Sequence, residues 1–156
     1  YDNDRPNDLV LMIVNVSTRE VLKNFPVESF ELSNMNSEFN DFKIVAGEEA
    51  YVLSKVDEIL NSIPTEFALG QNYPNPFNPV TKMDISLPIT GDVSLVIYNI
   101  LGQKVRTLFS GELNYGYHTM QWNGLDDQGL RVSSGVYFSE FRSRDHRKTK
   151  KMLLLK

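Results

Sequence analysis

The 156 residues contain no cysteine. A disulfide framework, a reactive thiolate and any cysteine-based metal site are therefore excluded. Export is not, because extracellular proteins can lack disulfides. Histidine is nearly as scarce. His118 and His146 are the two in the chain. They fall on different expected strands or turns, with no further His or Cys beside them to complete a zinc set. A strand-face histidine and a turn histidine are the simpler readings. No Gly-x-Ser-x-Gly elbow occurs, since Ser133-Ser134-Gly135 lacks that spacing. Nor is there a glycine-rich phosphate loop followed by lysine. These absences leave no catalytic constellation and no cofactor site, and the chain is expected to be noncatalytic. The longest apolar run near the start, Leu9 to Val14, has six residues, too few to span a bilayer. Tyr1 is not an initiator, and no charged-then-apolar leader follows it. The chain is expected to be the tail of a longer precursor.

What is present is unevenly distributed. Residues 1–66 hold 13 acidic and 5 basic side chains, a net of −8, whereas residues 67–156 hold 7 and 11, a net of +4. This asymmetry predicts two units, 1–62 and 63–156. It does not point to nucleic acid. Most of the basic excess sits in one terminal hairpin, and basic residues do not interleave with aromatic platforms.

In the first unit, residues 1–8 are polar and expected to be loose. Leu9 to Val16 is a β-branched apolar run, read as a buried strand. A weaker patch covers Val21 to Phe25. Phe30 and Leu32 alternate with polar neighbours, and Phe39 to Val45 is a further strand with Phe42 and Ile44 on one face. Gly47-Glu48-Glu49 reads as a turn, after which Ala50 to Leu53 returns as a strand. Lys55 to Ile63 reads as a short linker holding at most a helical turn over Val56, Ile59 and Leu60, ended by Pro64. So few strands cannot close a good core. The unit is expected to be a partial or small β domain, the C-terminal part of an upstream one, with an exposed apolar face.

The second unit reads as all-β. Met83, Ile85 and Leu87 alternate with Asp84 and Ser86, and Val93, Leu95 and Ile97 alternate with Ser94, Val96 and Tyr98. Asn99-Ile100-Leu101-Gly102 is a hairpin turn with Gly102 at the position of positive φ. Lys104 to Phe109 is its partner strand. His118, Met120 and Trp122 share one side of the next strand. Val136 to Arg144 and Lys148 to Leu155 form a last hairpin across Asp145-His146. Strands repeating every ~8–12 residues between turn signals predict an antiparallel sandwich with Ile85, Leu95, Ile97, Trp122, Val136 and Phe138 buried. Pro74-Asn75-Pro76-Phe77-Asn78-Pro79 stands at its start. Three prolines in six residues exclude a helix interior or a central strand, and each residue before a proline is extended. The segment is expected to be a stiff, ordered loop.

Three features of this unit admit a functional reading. Asp126 and Asp127 offer carboxylates in one loop, a weak Ca²⁺ candidate that lacks the spacing of an EF-hand; turn geometry is the plainer role. Arg142, Arg144, Arg147, Lys148, Lys150 and Lys151 form a basic run that guards an edge strand or meets a partner. Tyr115 and Tyr117 flank Gly116, the candidate aromatic platform for an adhesion or carbohydrate-binding module.

Four blocks carry a resemblance. They are Asn72-Tyr73 through Pro74, Asn75, Pro76, Phe77, Asn78 and Pro79; then Tyr98-Asn99-Ile100-Leu101-Gly102-Gln103-Lys104-Val105; then Ser134, Gly135, Val136, Tyr137 and Phe138; then Lys151, Met152, Leu153, Leu154, Leu155 and Lys156 at the chain end. Trp122, Gly124, Asp126 and Gly129 match a further Trp-x-Gly-x-Asp-x-x-Gly pattern. Residues 67–156 resemble a type A C-terminal sorting domain of the type IX (Por) secretion system, in the subgroup akin to the flagellar hook-capping immunoglobulin-like domain. Residues 39–45 resemble the tail of a β-sandwich module that often precedes such domains. Val80 after Pro79, where a small polar residue is commoner, and the basic Arg131-Val132 are the departures. The resemblance implies an immunoglobulin-like sandwich that directs an upstream passenger through the outer membrane of a Gram-negative bacterium to the surface or the medium. Its implied partners are the outer-membrane translocon and a sortase-like protease that removes the domain. Cleavage is expected between about Lys55 and Gly70. Neither a cofactor, a nucleic acid nor a transmembrane segment is implied. The terminal strand, through Met152 to Leu155, is expected to pack or pair at a sheet edge and to add a partner strand there.

Overall fold

The computed structural model describes residues 9–23 and 42–155, and the chain divides into two compact units, Tyr1–Ile63 and Pro64–Lys156. The expectations for residues 1–8 and for Phe30 and Leu32 lie outside the described residues.

In the first unit, the apolar run Leu9–Asn15 forms β1, between β2 (Glu20–Lys23) and β3 (Phe42–Glu48) in an antiparallel sheet. Alternation sends Met12 and Val14 to one face and Ile13 to the other. The chain then departs from expectation. Glu49–Ser62 is a helix, α1, not a strand followed by a linker. The helical face seen in Val56, Ile59 and Leu60 extends back one turn to Val52. Val52 and Val56 pack on Met12 and Val14, with Val10, Val21, Val45, Ile59 and Leu60 around them. Burial on the sheet overrides the short-range cues for a strand at residues 50–53. Arg19, in the left-handed conformation of the β1–β2 turn (φ 60°), closes the helix end. Its guanidinium donates to the carbonyls of Leu60 (2.9 Å) and Ile63 (3.0 Å), and a cation there also suits the helix dipole. On the opposite sheet face Leu22, Ile13 and Ile44 stand in one cross-strand row, and Ile44 is 66% exposed.

The second unit is an antiparallel immunoglobulin-like β-sandwich. β4 (Ala68–Leu69), β5 (Thr81–Leu87) and β8 (Gly116–Trp122) form one sheet in the order β4-β5-β8. β6 (Gly91–Asn99), β7 (Lys104–Leu113), β9 (Gly135–Ser143) and β10 (His146–Leu154) form the other, ordered β10-β9-β6-β7. Met83, Ile85 and Leu87 face Val93, Leu95 and Ile97 across the core, with Trp122, Phe141, Met152 and Leu154.

Val136 and Phe138 are not in that core. The inward residues of β9 are Tyr137, Ser139, Phe141 and Ser143, one position out of phase with the expectation. Val136-Tyr137-Phe138 is apolar on both faces and gives no alternation from which to set the phase. Tyr137 turns inward because its ring meets Trp122 edge-on at 5.1 Å while its hydroxyl donates to the Ser133 carbonyl at 2.7 Å. Both halves of an amphipathic side chain are thereby satisfied. Phe138 stands on the outer face beside Tyr98.

The pairing registers place the starts of β5, β7 and β9 and the ends of β6, β8 and β10 at one end of the sandwich. The motif blocks of the sequence all fall at this end.

Candidate functional site: the clamp on the C-terminal strand

Residues 71–77 run alongside β10 and fasten its last residues. The Phe77 N–H donates to the Leu153 carbonyl and the Phe77 carbonyl accepts from the Leu155 N–H, both at 2.9 Å, in a parallel bridge. Asn75 Oδ1 accepts from the Leu153 N–H at 2.9 Å, and Gln71 Nε2 donates to the Lys151 carbonyl at 2.9 Å. The expectation of a free edge at the chain end is therefore corrected. From Lys151 to Leu155 the outer backbone groups of the edge strand are taken within the chain, so no partner strand can add there without displacing the clamp. Nearer its start β10 carries the exposed Arg147 and Lys148 and the half-buried Lys150, with Phe67 stacked on His146 at 4.4 Å.

The proline block holds this shape through a buried polar knot. Tyr73-Pro74 and Asn75-Pro76 are cis. Asn72 and Thr81 are buried. Asn72 Nδ2 donates to Pro74 O and Thr81 Oγ1, and the Thr81 hydroxyl donates to Pro74 O at 2.8 Å. Three bonds inside the loop replace the solvent that these groups lose, which a buried polar group requires. The Phe77 side chain, 2% exposed, enters the core and meets Trp122 at 5.5 Å. Trp122 Nε1 in turn donates to the Leu125 carbonyl at 2.8 Å.

The structure thus brings together most of the residues singled out in the sequence. Asn75 and Phe77 bond to Leu153 and Leu155 at the end of β10, beside Met152 and Leu154, and Trp122 links Phe77 to Tyr137. Pro79 meets Gly124, where a Cβ would lie 3.4 Å from the Pro79 carbonyl and 3.5 Å from its Cβ, with φ at +69°. The space would take a Cβ at ordinary contact distance; the positive φ is what favours glycine there. Gly102 (φ 75°) lies at the same end but outside the clamp. Its turn is organised by Asn99, whose Oδ1 accepts from the N–H groups of Leu101 and Gln103, both at 3.0 Å. Lys156 lies outside the described residues. Gln71, Asn72, Thr81 and Asn99 were not singled out as site residues. The available signal was that all four are uncharged hydrogen-bonding residues flanking a proline or glycine turn.

The other candidates are placed as follows. Asp126 Oδ1 accepts from the N–H groups of Gln128 and Leu130, both at 2.9 Å. Asp127 Oδ1 accepts from Thr107 N–H at 2.9 Å, and its other oxygen lies 3.2 Å from Lys104 Nζ. The Thr107 bond first, and Lys104 after it, hold the Asp127 carboxyl below its ordinary range. Both residues serve the loop. Among the described residues no three His, Cys, Asp or Glu side chains gather as a metal-ligating group. Tyr117 is exposed and Tyr115 half-buried, at the opposite end of the sandwich from the clamp.

On the outer face of the four-stranded sheet, Glu140 is 4% exposed. Arg142 Nε donates to Oε1 at 2.5 Å and Arg147 Nε to Oε2 at 2.6 Å. Burial pushes this carboxyl up, but the two guanidinium groups outweigh it and hold it below the ordinary range. Replacing Glu140 with glutamine should cost about 1–2 kcal/mol at pH 7. A depressed pKa stabilises above the unfolded value of about 4.3. The gap between wild type and variant should therefore persist at neutral pH and close as pH falls through the lowered folded pKa. Urea midpoints between pH 7 and 2.5 check this.

Residues 77–142 match the FlgD Ig-like domain family. That span, less than half of the chain, begins inside the clamp and ends on β9. No curated protein matches the sequence. Among solved structures, FLGD from P. aeruginosa is 24% identical with a TM-score of 0.38, over 47% of this chain and 57% of that one. PorZ, an essential surface component of the type-IX secretion system of Porphyromonas gingivalis, is 23% identical with a TM-score of 0.37, over 58% of this chain. Dimeric latent PorU from the same organism is 14% identical with a TM-score of 0.46, over 74% of this chain. The chain spans 11% of the length of each of these two.

Proposed function

We propose that the immunoglobulin-like unit is a noncatalytic C-terminal signal domain. It directs an upstream passenger through the outer membrane by type IX secretion and is then removed by a sortase-like protease at the cell surface. The observation that carries this reading is the pair of backbone bonds between Phe77 and the strand residues Leu153 and Leu155. Sequence blocks about 75 residues apart, whose order carries the resemblance, are one structural element. A fold alone would license no role; a terminal strand locked by its own proline block gives an export machine a rigid feature to read.

The boundary gives the test. Residues 49–62 are helical and Phe67 and Leu69 are buried, which leaves Thr65 and Glu66 as exposed residues at the start of the second unit. Proteases act on exposed, extended chain. In a host with the type IX machine, a passenger fused to this chain should be recovered from the surface trimmed between Ser62 and Phe67, as read by mass spectrometry of its new C-terminus. Surface material that keeps the whole chain, or is cut inside a strand of the sandwich, would count against the reading.

A further inference from the structure

The large apolar side chains left exposed on the second unit are not scattered. Among its described residues seven are exposed, and six of them, Tyr73, Val80, Ile100, Leu101, Leu130 and Leu155, lie on loops or the chain end at the clamp end of the sandwich. Tyr117 alone lies at the other end. Ile100 and Leu101 are 71% and 77% exposed at the tip of the β6–β7 turn. Nothing in that turn needs them, since Asn99 and Gly102 set its geometry. Single exposed apolar residues are ordinary, but a concentration on one end marks an interaction site.

The charges around these tips are predominantly positive. Lys82, Arg131 and Lys151 are exposed there. Of the nearby carboxylates, Asp127 is paired with Lys104 and Asp126 accepts from loop N–H groups, so the exposed cations outnumber the carboxylate charge left without a cation. Between the tips lie grooves. One of about 430 Å³ is lined by Lys104, Asp127 and Tyr137 among others, and one of about 230 Å³ by Pro79, Leu125 and Leu154 among others. Concavities fit protruding side chains better than a flat bilayer.

We propose that this end of the sandwich is a protein-docking surface. Its partner is a protein that sets apolar side chains, rimmed by carboxylates, onto the Ile100-Leu101 turn and its neighbours. The proposal rests on the sorting reading and names the surface by which the export machine reads the domain. Apolar anchors at the centre of an interface supply affinity, and the charged rim supplies orientation and rate.

The test uses the full chain fused behind a periplasmic reporter that has its own signal peptide, in a type IX host. Turn-tip substitutions at this exposure leave folding nearly unchanged, and thermal melts of the purified variants check that. Ile100→Asp with Leu101→Asp should lower surface reporter by at least about tenfold. Ile100→Lys with Leu101→Lys should lower it less, because lysine keeps the attraction to an acidic partner. Tyr117→Asp should leave it at the wild-type level. Wild-type display by the aspartate pair, with the wild-type fusion also displayed, would overturn the docking surface and leave the sorting reading standing. Equal loss from the two pairs would overturn the acidic partner. Cosedimentation of the purified chain with phosphatidylcholine–phosphatidylglycerol vesicles, abolished by the aspartate pair, would overturn the protein partner in favour of a membrane. A wild-type fusion that stays in the periplasm would overturn both readings together.

Discussion

Replacing Phe77 with alanine should lower the stability of the C-terminal unit by about 3–5 kcal/mol, the usual range for truncating a buried phenylalanine. Its ring is 2% exposed and lies against Trp122. Its backbone also holds Leu153 and Leu155, so loss of the anchor frees the end of β10 as well. For a domain of this size each kcal/mol moves the midpoint by about 4–8 °C, so the melt should fall by at least about 12 °C. Trp122 is the only tryptophan and is fully buried. Its fluorescence therefore reports this unit and not the first. A shift of only a few degrees would mean that the proline block decorates the sandwich and does not complete it.

Deleting Lys151 to Lys156 should have a larger effect still. Met152 and Leu154 are buried to 0% and 1% exposure, and truncating either alone would cost about 2–5 kcal/mol. The deletion also strips the partners of Phe77, Asn75 and Gln71. Together these approach the whole stability of a small domain, about 5–15 kcal/mol. The deleted chain should show no cooperative tryptophan transition in urea and should be digested rapidly by a protease. A retained transition would show that the terminal strand is dispensable to the fold. The expected result also fixes how an export defect in such a deletion is understood: it reports loss of the domain. Surface changes at Ile100 and Leu101, which leave the core intact, separate recognition from folding.

The sandwich was legible because β5 and the first half of β6 alternate cleanly. Met83, Ile85 and Leu87 set their phase against Asp84 and Ser86, and Val93 and Leu95 set theirs against Asp92 and Ser94. β9 was not, because Val136, Tyr137 and Phe138 are all apolar and the choice of face rests on Trp122 and Ser133, far away in sequence or outside the strand. The helix Glu49–Ser62 was missed for a related reason. Its apolar face begins at Val52, in a stretch that also reads as a short strand, and only packing on Met12 and Val14 decides between them. That the terminal residues would lie at a sheet edge followed from their position and pattern. Occupation of that edge by Phe77 and Asn75 did not, since parallel pairing between segments about 75 residues apart leaves no local signal. The Asp126-Asp127 loop could be read either way from composition, and the backbone N–H groups that take those oxygens become visible only once the chain is folded.

The sorting role itself is tested most directly on intact cells. A periplasmic reporter carrying its own signal peptide, with and without this full chain at its C-terminus, is expressed in a bacterium that has the type IX machine. Externally added protease then reads how much reporter is outside. The expected result is digestion of most of the reporter when the chain is attached and protection when it is absent or the machine is deleted. Equal protection of both fusions, with the Trp122 transition showing the attached unit folded, would contradict it.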